Sequence, residues 1–296
     1  MDDPEPQPVT SDEATPHDEA FQWNGSFGRT WIELQDVLDT MYRPFEQALV
    51  DASAAVSARR VLDVGCGTGA TTLALARHVD RVATDTEGDG ATACVGLDVS
   101  KPMLEVAARR ALDEGSSARF VLGDAQRHRF DAEPFDVVVS RFGVMFFDDE
   151  VAAFANLRGA TAPGGALRVA VWRRPEENPF MSTSARAASG VLPLPPPAPG
   201  EPGPYGLADP AHVHELLDAS GWHDVELVPL DLECRLPLTQ LDRYATRLGP
   251  VGRALTDADD ARRAQIAEVV RPAFDPFVDG DELRYTAACW MVHATA

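Results

Sequence analysis

The sequence predicts a doubly wound α/β fold, and three observations carry that prediction. Between about residues 60 and 172, strand-length apolar runs alternate with segments of helical period. The runs themselves, such as Phe135-Asp136-Val137-Val138-Val139 and Leu167–Val171, are apolar almost throughout rather than at every second residue, as in parallel strands covered by helices on both faces. The first run leads into Val61-Leu62-Asp63-Val64-Gly65-Cys66-Gly67-Thr68-Gly69-Ala70, where a strand passes through three alternating glycines into a helix.

Taken in chain order, residues 1–20 hold seven acids, four prolines and no Lys or Arg. That mix buries too little apolar surface to offset the entropy of ordering, so a disordered acidic tail is expected. Trp31, Leu34, Leu38, Met41, Phe45 and Leu49 recur at three- and four-residue steps and predict an amphipathic helix to about Ala54, divided by Pro44. The alternation that follows predicts strand Arg60–Gly65, helix Ala70–Val79, strand Ala93–Asp98, helix Pro102–Leu112, strands Arg119–Leu122 and Asp136–Ser140, helix Glu150–Ala160 and strand Ala166–Trp172. A helical segment comes next, then seven prolines in the twelve residues 193–204, a run read either as a surface linker or as a lid. Helix Pro210–Ser220, a strand around Val225–Cys234, helical segments Leu238–Leu248 and Asp259–Phe274 and a last strand Leu283–His293 complete the chain.

With 296 residues, 45% of them hydrophobic, the chain can bury a substantial core. Its net charge of -21 opposes binding to a phosphate backbone, and Lys101 is its only lysine, so no nucleic-acid partner is expected. The cysteines Cys66, Cys94, Cys234 and Cys289 form no CxxC pair, which argues against a disulfide scaffold or a zinc knuckle. No apolar leader and no run of about 18 apolar residues occurs, so a cytoplasmic protein without a membrane partner is expected.

Glycines at 65, 67 and 69 permit positive φ and leave the backbone bare, so a nucleotide-type ligand can lie against it where strand becomes helix. Taken alone, the loop is equally compatible with a dinucleotide, because Gly65-x-Gly67-x-x-Ala70 satisfies that fingerprint too. No metal is expected. Asp148-Asp149-Glu150 reads as acids at a helix start, favoured by the helix dipole, and His212 and His214 are two apart and do not share a helix face.

Four motifs in register with the strand ends resemble the class I S-adenosylmethionine-dependent methyltransferases of the small-molecule type, from about Phe21 onward. The resemblance implies a Rossmann-like, mostly parallel seven-stranded sheet with an antiparallel last strand, plus an N-terminal helical cap and helical insertions. In Leu62–Gly69 it implies that Asp63 and the backbone of Gly65, Cys66, Gly67, Thr68 and Gly69 hold the methionine end of the cofactor. In Val95–Leu104 it places Asp98 on the ribose hydroxyls, beside Val99, with Met103 near the adenosine. Asp98 comes later after the glycines than is usual, which suggests a polar loop inserted at Thr84–Ala91. In Val121–Ala125 the resemblance puts Asp124 on the adenine amino group, with Gly123 and Ala125 leaving room for the ring. The fourth motif, Phe135–Phe147, borders the transferable methyl, with Ser140 and Arg141 as further cofactor contacts.

The implied division is a tail at 1–20, a helical cap at 21–58 and a methyltransferase domain at 59–296, with acceptor-shaping additions at about 173–222 and 235–282. Arg141 is a candidate for an anionic group, and Trp23, Phe142, Met145 and Phe146 are candidates for an apolar acceptor pocket. Trp23 and Trp31 read equally well as packing anchors. The strand exit Ser140-Arg141-Phe142 lacks both the acid of metal-dependent relatives and the Pro-Pro-aromatic box of amine methylating ones, which points to a small-molecule acceptor, oxygen before carbon or nitrogen. No histidine, His128, His212, His214 or His223, is paired in sequence with a group that would make it a base. The alternatives are a cofactor-binding protein that transfers no methyl, a sulfonium-assisted rearrangement catalyst and a nicotinamide-dependent oxidoreductase; oligomeric state is not legible.

Overall fold

The computed structural model describes residues 23–85, 92–130, 133–194 and 202–296. The expected acidic tail, most of the suspected insertion before the second strand and the centre of the proline-rich run lie outside the described residues.

The strand before the glycine loop, β1 (Arg60–Val64), is central, with β2 (Ala93–Asp98) on one side and β4 (Phe135–Arg141) on the other, both parallel to it. Outside these lie β3 (Arg119–Leu122) and β5 (Thr161–Trp172), again parallel. The far edge is antiparallel: β8 (Glu282–Thr295) inserts between β5 and β6 (His223–Pro237), and the two-residue β7 (Val278–Asp279) pairs back on β8. The order β3-β2-β1-β4-β5-β8-β6 is the expected doubly wound sheet, with an extra eighth strand added by β7. The chain adds strands first on one side of β1 and then, from β4, on the other, and that switch point puts the glycine loop and the ends of β2 and β4 around one crevice.

Helices cover both faces. The cap consists of α1 (Ser26–Glu33) and α2 (Gln35–Ala55); α2 packs on α3 (Ala70–Asp85) and reaches across β4, β5 and β6. Pro44 does not divide α2, contrary to the expectation from sequence; the break falls at Leu34, between α1 and α2. The proline's missing amide costs one helix bond, but Leu38, Met41, Tyr42, Phe45 and Leu49 are all buried on the same helix and hold it continuous. The helix α4 (Lys101–Glu114) has Ser100 as N-cap, Pro102 in its first turn and Gly115 closing it in the left-handed conformation at φ 63°. At the start of α5 (Glu150–Gly159), the Asp149 carboxylate accepts from the Ala152 amide at 2.9 Å, so the acids there cap a helix.

Two additions meet at the carboxyl edge of the sheet. From the segment after β5 comes α6 (Pro179–Ala188), followed by α7 (Pro210–Ala219), which packs on α5 and β6. Between β6 and β8 lie α8 (Leu241–Arg247), α9 (Gly249–Ala254) and α10 (Asp260–Val270), and all of these pack with α6. They stand beyond the sheet because β6 and β8 run on past the end of β5. Trp172, the last residue of β5, pairs with Cys289, while β6 and β8 continue together from Asp231↔Ala288 to Pro237↔Glu282. Among the described residues no helix is long and apolar enough to cross a membrane.

Candidate active site

The glycine loop is set by backbone conformation. Gly65, Gly67 and Gly69 have φ of 65°, 55° and 85°, the left-handed region that side chains rarely adopt. The amides of Gly65 and Cys66 both donate to the Leu97 carbonyl, at 2.8 and 3.2 Å, which ties the loop to β2. From the other side the Ser140 hydroxyl donates to the Val64 carbonyl at 2.7 Å and accepts from the Gly143 amide at 3.1 Å. Ser140 is wholly buried, so its hydroxyl is committed to joining the loop to the exit of β4. Arg110 on α4 reaches the Thr68 carbonyl at 2.9 Å and Asp39 on α2 at 2.8 Å, so cap, loop and α4 share one guanidinium.

Two carboxylates flank this loop. Asp63, 1% exposed, accepts from the Thr72 hydroxyl at 2.6 Å. Burial pushes its carboxyl up to about 7, against the opposing pulls of the Thr72 bond and the nearby Arg141 charge. An acid so placed is short of a cation. At the end of β2, Asp98 accepts from the Gly67 amide at 2.7 Å with one oxygen and from the Ser100 amide at 2.8 Å with the other. Burial raises its pKa as well, and the amides of Ser100, Gly67 and Val99 pull it back. Each oxygen keeps a lone pair beyond these bonds, enough for a pair of hydroxyl donors.

The other predicted cofactor residues surround the same crevice. Met103 is buried, and among the described residues, chain neighbours aside, its sulfur is the only atom within 4 Å of a methyl-sized addition at Gly67, so the space above that glycine is otherwise open. Cys66 is buried, and burial holds its thiol protonated. After β3, Asp124 turns back to accept from the Gln126 amide and side chain at 2.9 and 3.1 Å, and Ala125 is buried with its carbonyl held by Asn156 at 2.8 Å. Gly123 lies against His128; a Cβ there would sit 2.6 Å from the imidazole Nδ1.

The cap is fastened to the β2 exit. The Asn24 side chain donates to the Val99 carbonyl and accepts from the Lys101 amide, both at 3.0 Å, and the Ser100 hydroxyl donates to the Trp23 carbonyl at 2.8 Å. Trp23 thereby stands edge-on to Phe146, with ring centres 5.5 Å apart, and also meets Phe27 and Trp31. Met145 turns instead into the core, 1% exposed. Phe142 belongs to a different group: it stacks on Trp172 at 4.3 Å and meets Tyr42 at 5.3 Å, with an unusual φ of 65° for a bulky residue. Arg141, just before it, has its guanidinium 5.8 Å from the Tyr42 ring centre and a buried Nη1 without a hydrogen-bond partner among the described residues. Thr72, Asn24, Ser100, Tyr42 and Trp172 stand at this candidate site, and sequence reasoning did not single them out. For Thr72 a signal exists in its place on the first turn after the glycines; Asn24 and Tyr42 have none.

Residues 61–165 match the family model described as a methyltransferase domain. The aklanonic acid methyltransferase DauC of Streptomyces sp. (strain C5) is 33% identical over 128 residues, covering 43% of this chain and 54% of that protein. The demethylmenaquinone methyltransferase of Renibacterium salmoninarum is 32% identical over 151 residues, covering 51% of this chain and 57% of its own. The chain thus spans little more than half the length of these two relatives. Among solved structures, the YcgJ protein of Bacillus subtilis superposes with a TM-score of 0.54 at 17% identity, covering 84% of this chain and 97% of that one, a likeness of fold.

Proposed function

We infer that this chain, which carries a class I S-adenosylmethionine-dependent methyltransferase domain, transfers a methyl group from S-adenosylmethionine to a small, largely apolar molecule. The acceptor atom we assign is oxygen, reached by metal-independent in-line displacement. The observation that carries the reading is the joint use of Asp98, whose carboxylate holds the Gly67 amide while keeping free lone pairs at the mouth of the open glycine loop.

The residues present suit the cofactor. The space over Gly67 admits a ligand against bare backbone, Asp98 can accept from both ribose hydroxyls, and Asp63 supplies a buried acid for an ammonium group. Asp124, Ala125 and Met103 would border the adenine. When bound, the cofactor brings an activated methyl on a sulfonium, so no group of the protein has to activate the electrophile. The chain's task is alignment and the exclusion of water. Trp23 and Phe146 close the cofactor crevice from the cap side, while the Phe142–Trp172 stack and Tyr42 form an apolar wall beside the exit of β4. The helices α6 and α8–α10 shape the acceptor side beyond that wall.

Calorimetry tests the reading. S-adenosylhomocysteine should bind and NADH should not, and Asp98→Ala should weaken the former more than about tenfold, or ~1.4 kcal/mol. NADH binding, or an unaltered affinity in the variant, would overturn it.

A further inference from the structure

We propose that Arg110 is a positioning residue for the glycine loop. Its guanidinium fixes the loop's outer peptide, Thr68–Gly69, and Asp39 of the cap fixes the guanidinium, so cofactor affinity depends on cap and loop together. The inference rests on the methyl-transfer reading and deepens it by naming what sets the shape of the site that receives the cofactor.

The loop's anchors are unevenly distributed. On the sheet side, the Gly65 and Cys66 amides are held by the Leu97 carbonyl, the Gly67 amide by Asp98 and the Val64 carbonyl by Ser140. At the outer peptide, the Gly69 amide donates to the Cys66 carbonyl at 3.0 Å. The Leu73 amide of α3 takes the Gly69 carbonyl at 2.9 Å, so the Thr68 carbonyl stands one residue ahead of that bond. Arg110 Nη1 donates to it at 2.9 Å, and no other side chain among the described residues does. Turning this peptide would change ψ of Thr68 and φ of Gly69, and at Gly69, with φ 85°, no side chain opposes the turn. The bond from Arg110 supplies the restraint that the glycine lacks.

The helix α4 is placed to deliver that bond. Met103, Ala107 and Arg110 recur at four- and three-residue steps along one face. The Met103 sulfur is 3.8 Å from a Cβ placed on Gly67, and the Ala107 Cβ is 2.9 Å from one placed on Gly69. One helix face thus runs along the loop and brings the guanidinium onto the Thr68 carbonyl. The other arm of the fork, Nη2, donates to Asp39 on α2 at 2.8 Å, and Asp39 also accepts from Gln35 at 3.4 Å. The side chains of this pair are only 23% and 22% exposed, so water screens it less than a surface pair. A second arginine offers a comparison within the same protein. Arg77 of α3 also joins the cap to α4, 3.9 Å from Glu46 and 2.6 Å from Glu114, and neither of these contacts reaches the loop.

The test is calorimetry on the full chain with two probes: S-adenosylhomocysteine, which carries an amino-acid end, and 5′-methylthioadenosine, which lacks it. Arg110→Gln is expected to weaken the former at least about tenfold and the latter less than about threefold, since the loop peptide it frees faces the amino-acid end. Asp39→Asn loosens the guanidinium but leaves the carbonyl bond, and is expected to weaken S-adenosylhomocysteine about threefold with 5′-methylthioadenosine unchanged. The double variant is expected to bind no worse than Arg110→Gln alone, because both substitutions act through one guanidinium. Arg77→Gln should keep both affinities within about twofold. Equal losses of the two probes in Arg110→Gln, or no loss, overturn the proposal, as a helix that merely packs would give. Losses that multiply in the double variant overturn it too, and so does an Arg77→Gln variant that matches Arg110→Gln. Should Arg110→Gln not fold, Asp39→Asn decides alone, and an unaltered ratio of the two affinities overturns the proposal. Failure of the unaltered protein to bind S-adenosylhomocysteine would instead remove the methyl-transfer reading on which the proposal rests.

Discussion

Gly65 and Gly143 face each other so closely that a Cβ on Gly65 would lie 2.6 Å from the Cα of Gly143, and one on Gly143 would lie 2.7 Å from the Cα of Gly65. The loop after β1 and the loop after β4 are thus in backbone contact, with Ser140 bonded across the same seam. Gly143→Ala should separate the two loops, destabilise the protein by roughly 2 kcal/mol and weaken S-adenosylhomocysteine binding about tenfold or more. Thermal melts with and without ligand check this. A variant with unchanged melting and affinity would show that the seam can open freely.

The carboxyl of Asp63 sets a pH dependence. Its folded pKa is raised to about 7 from an ordinary 3.8, so the folded protein binds a proton there that the unfolded chain releases. The corresponding stability is fully present below 3.8 and is lost as pH rises toward about 7. A ligand ammonium beside the carboxylate reverses the preference, so S-adenosylhomocysteine should bind more tightly at about pH 8 than at pH 6, with uptake of ligand releasing a proton. Calorimetry in buffers of different ionisation enthalpy measures that proton. Thr72→Val removes the bond that pulls the pKa down and should move the onset of tight binding to higher pH; the same onset in both proteins would sever Asp63 from the cofactor.

Asn24 holds the cap on the β2 exit through two bonds, each worth about 1 kcal/mol net. Asn24→Ala should lower the melting temperature by a few degrees, weaken S-adenosylhomocysteine roughly fivefold and raise its dissociation rate. Stopped-flow measurement of ligand release, followed by the fluorescence of Trp23 and Trp31, distinguishes a cap that retains the ligand from one that merely packs beside it.

Phe142 presents two opposed effects. Its left-handed backbone costs about 1–2 kcal/mol, which Phe142→Gly would relieve. The same change removes a buried ring stacked at 4.3 Å on Trp172, a loss of about 3–5 kcal/mol. Loss of the ring dominates, so a fall of several degrees in Tm is expected. A rise in Tm would mean that strain at the β4 exit outweighs the packing of the wall.

Much of the geometry around the glycine loop was legible because its signals are local. A strand end, an alternating glycine run and an acid closing the next strand sit within a few residues of one another, and Asp63, Gly67 and Asp98 come together where that pattern places them. What was not legible depends on long-range contacts. Asn24 meets Val99 across 75 residues of sequence, and Tyr42 reaches Phe142 and Trp172 from a helix whose period reports only that one face is buried. Pro44 was misread for the same reason: the local rule breaks a helix there, while burial of Met41, Tyr42 and Phe45 against the sheet keeps it whole. Phe142 carried no sequence sign of its left-handed backbone, since turn signals belong to Gly, Asn and Asp.

The extension of β6 and β8 past the end of β5 has a consequence for how such a chain can diversify. Residues 238–281 are borne on a two-stranded stalk whose own ladder, from Asp231↔Ala288 to Pro237↔Glu282, needs nothing from β1 or β2. Replacing everything above the stalk alters the helices it carries while the glycine loop, Asp63 and Asp98 keep their anchors in β1 and β2. The length of one hairpin thus sets the segment it carries apart from the loops that follow β1 and β2.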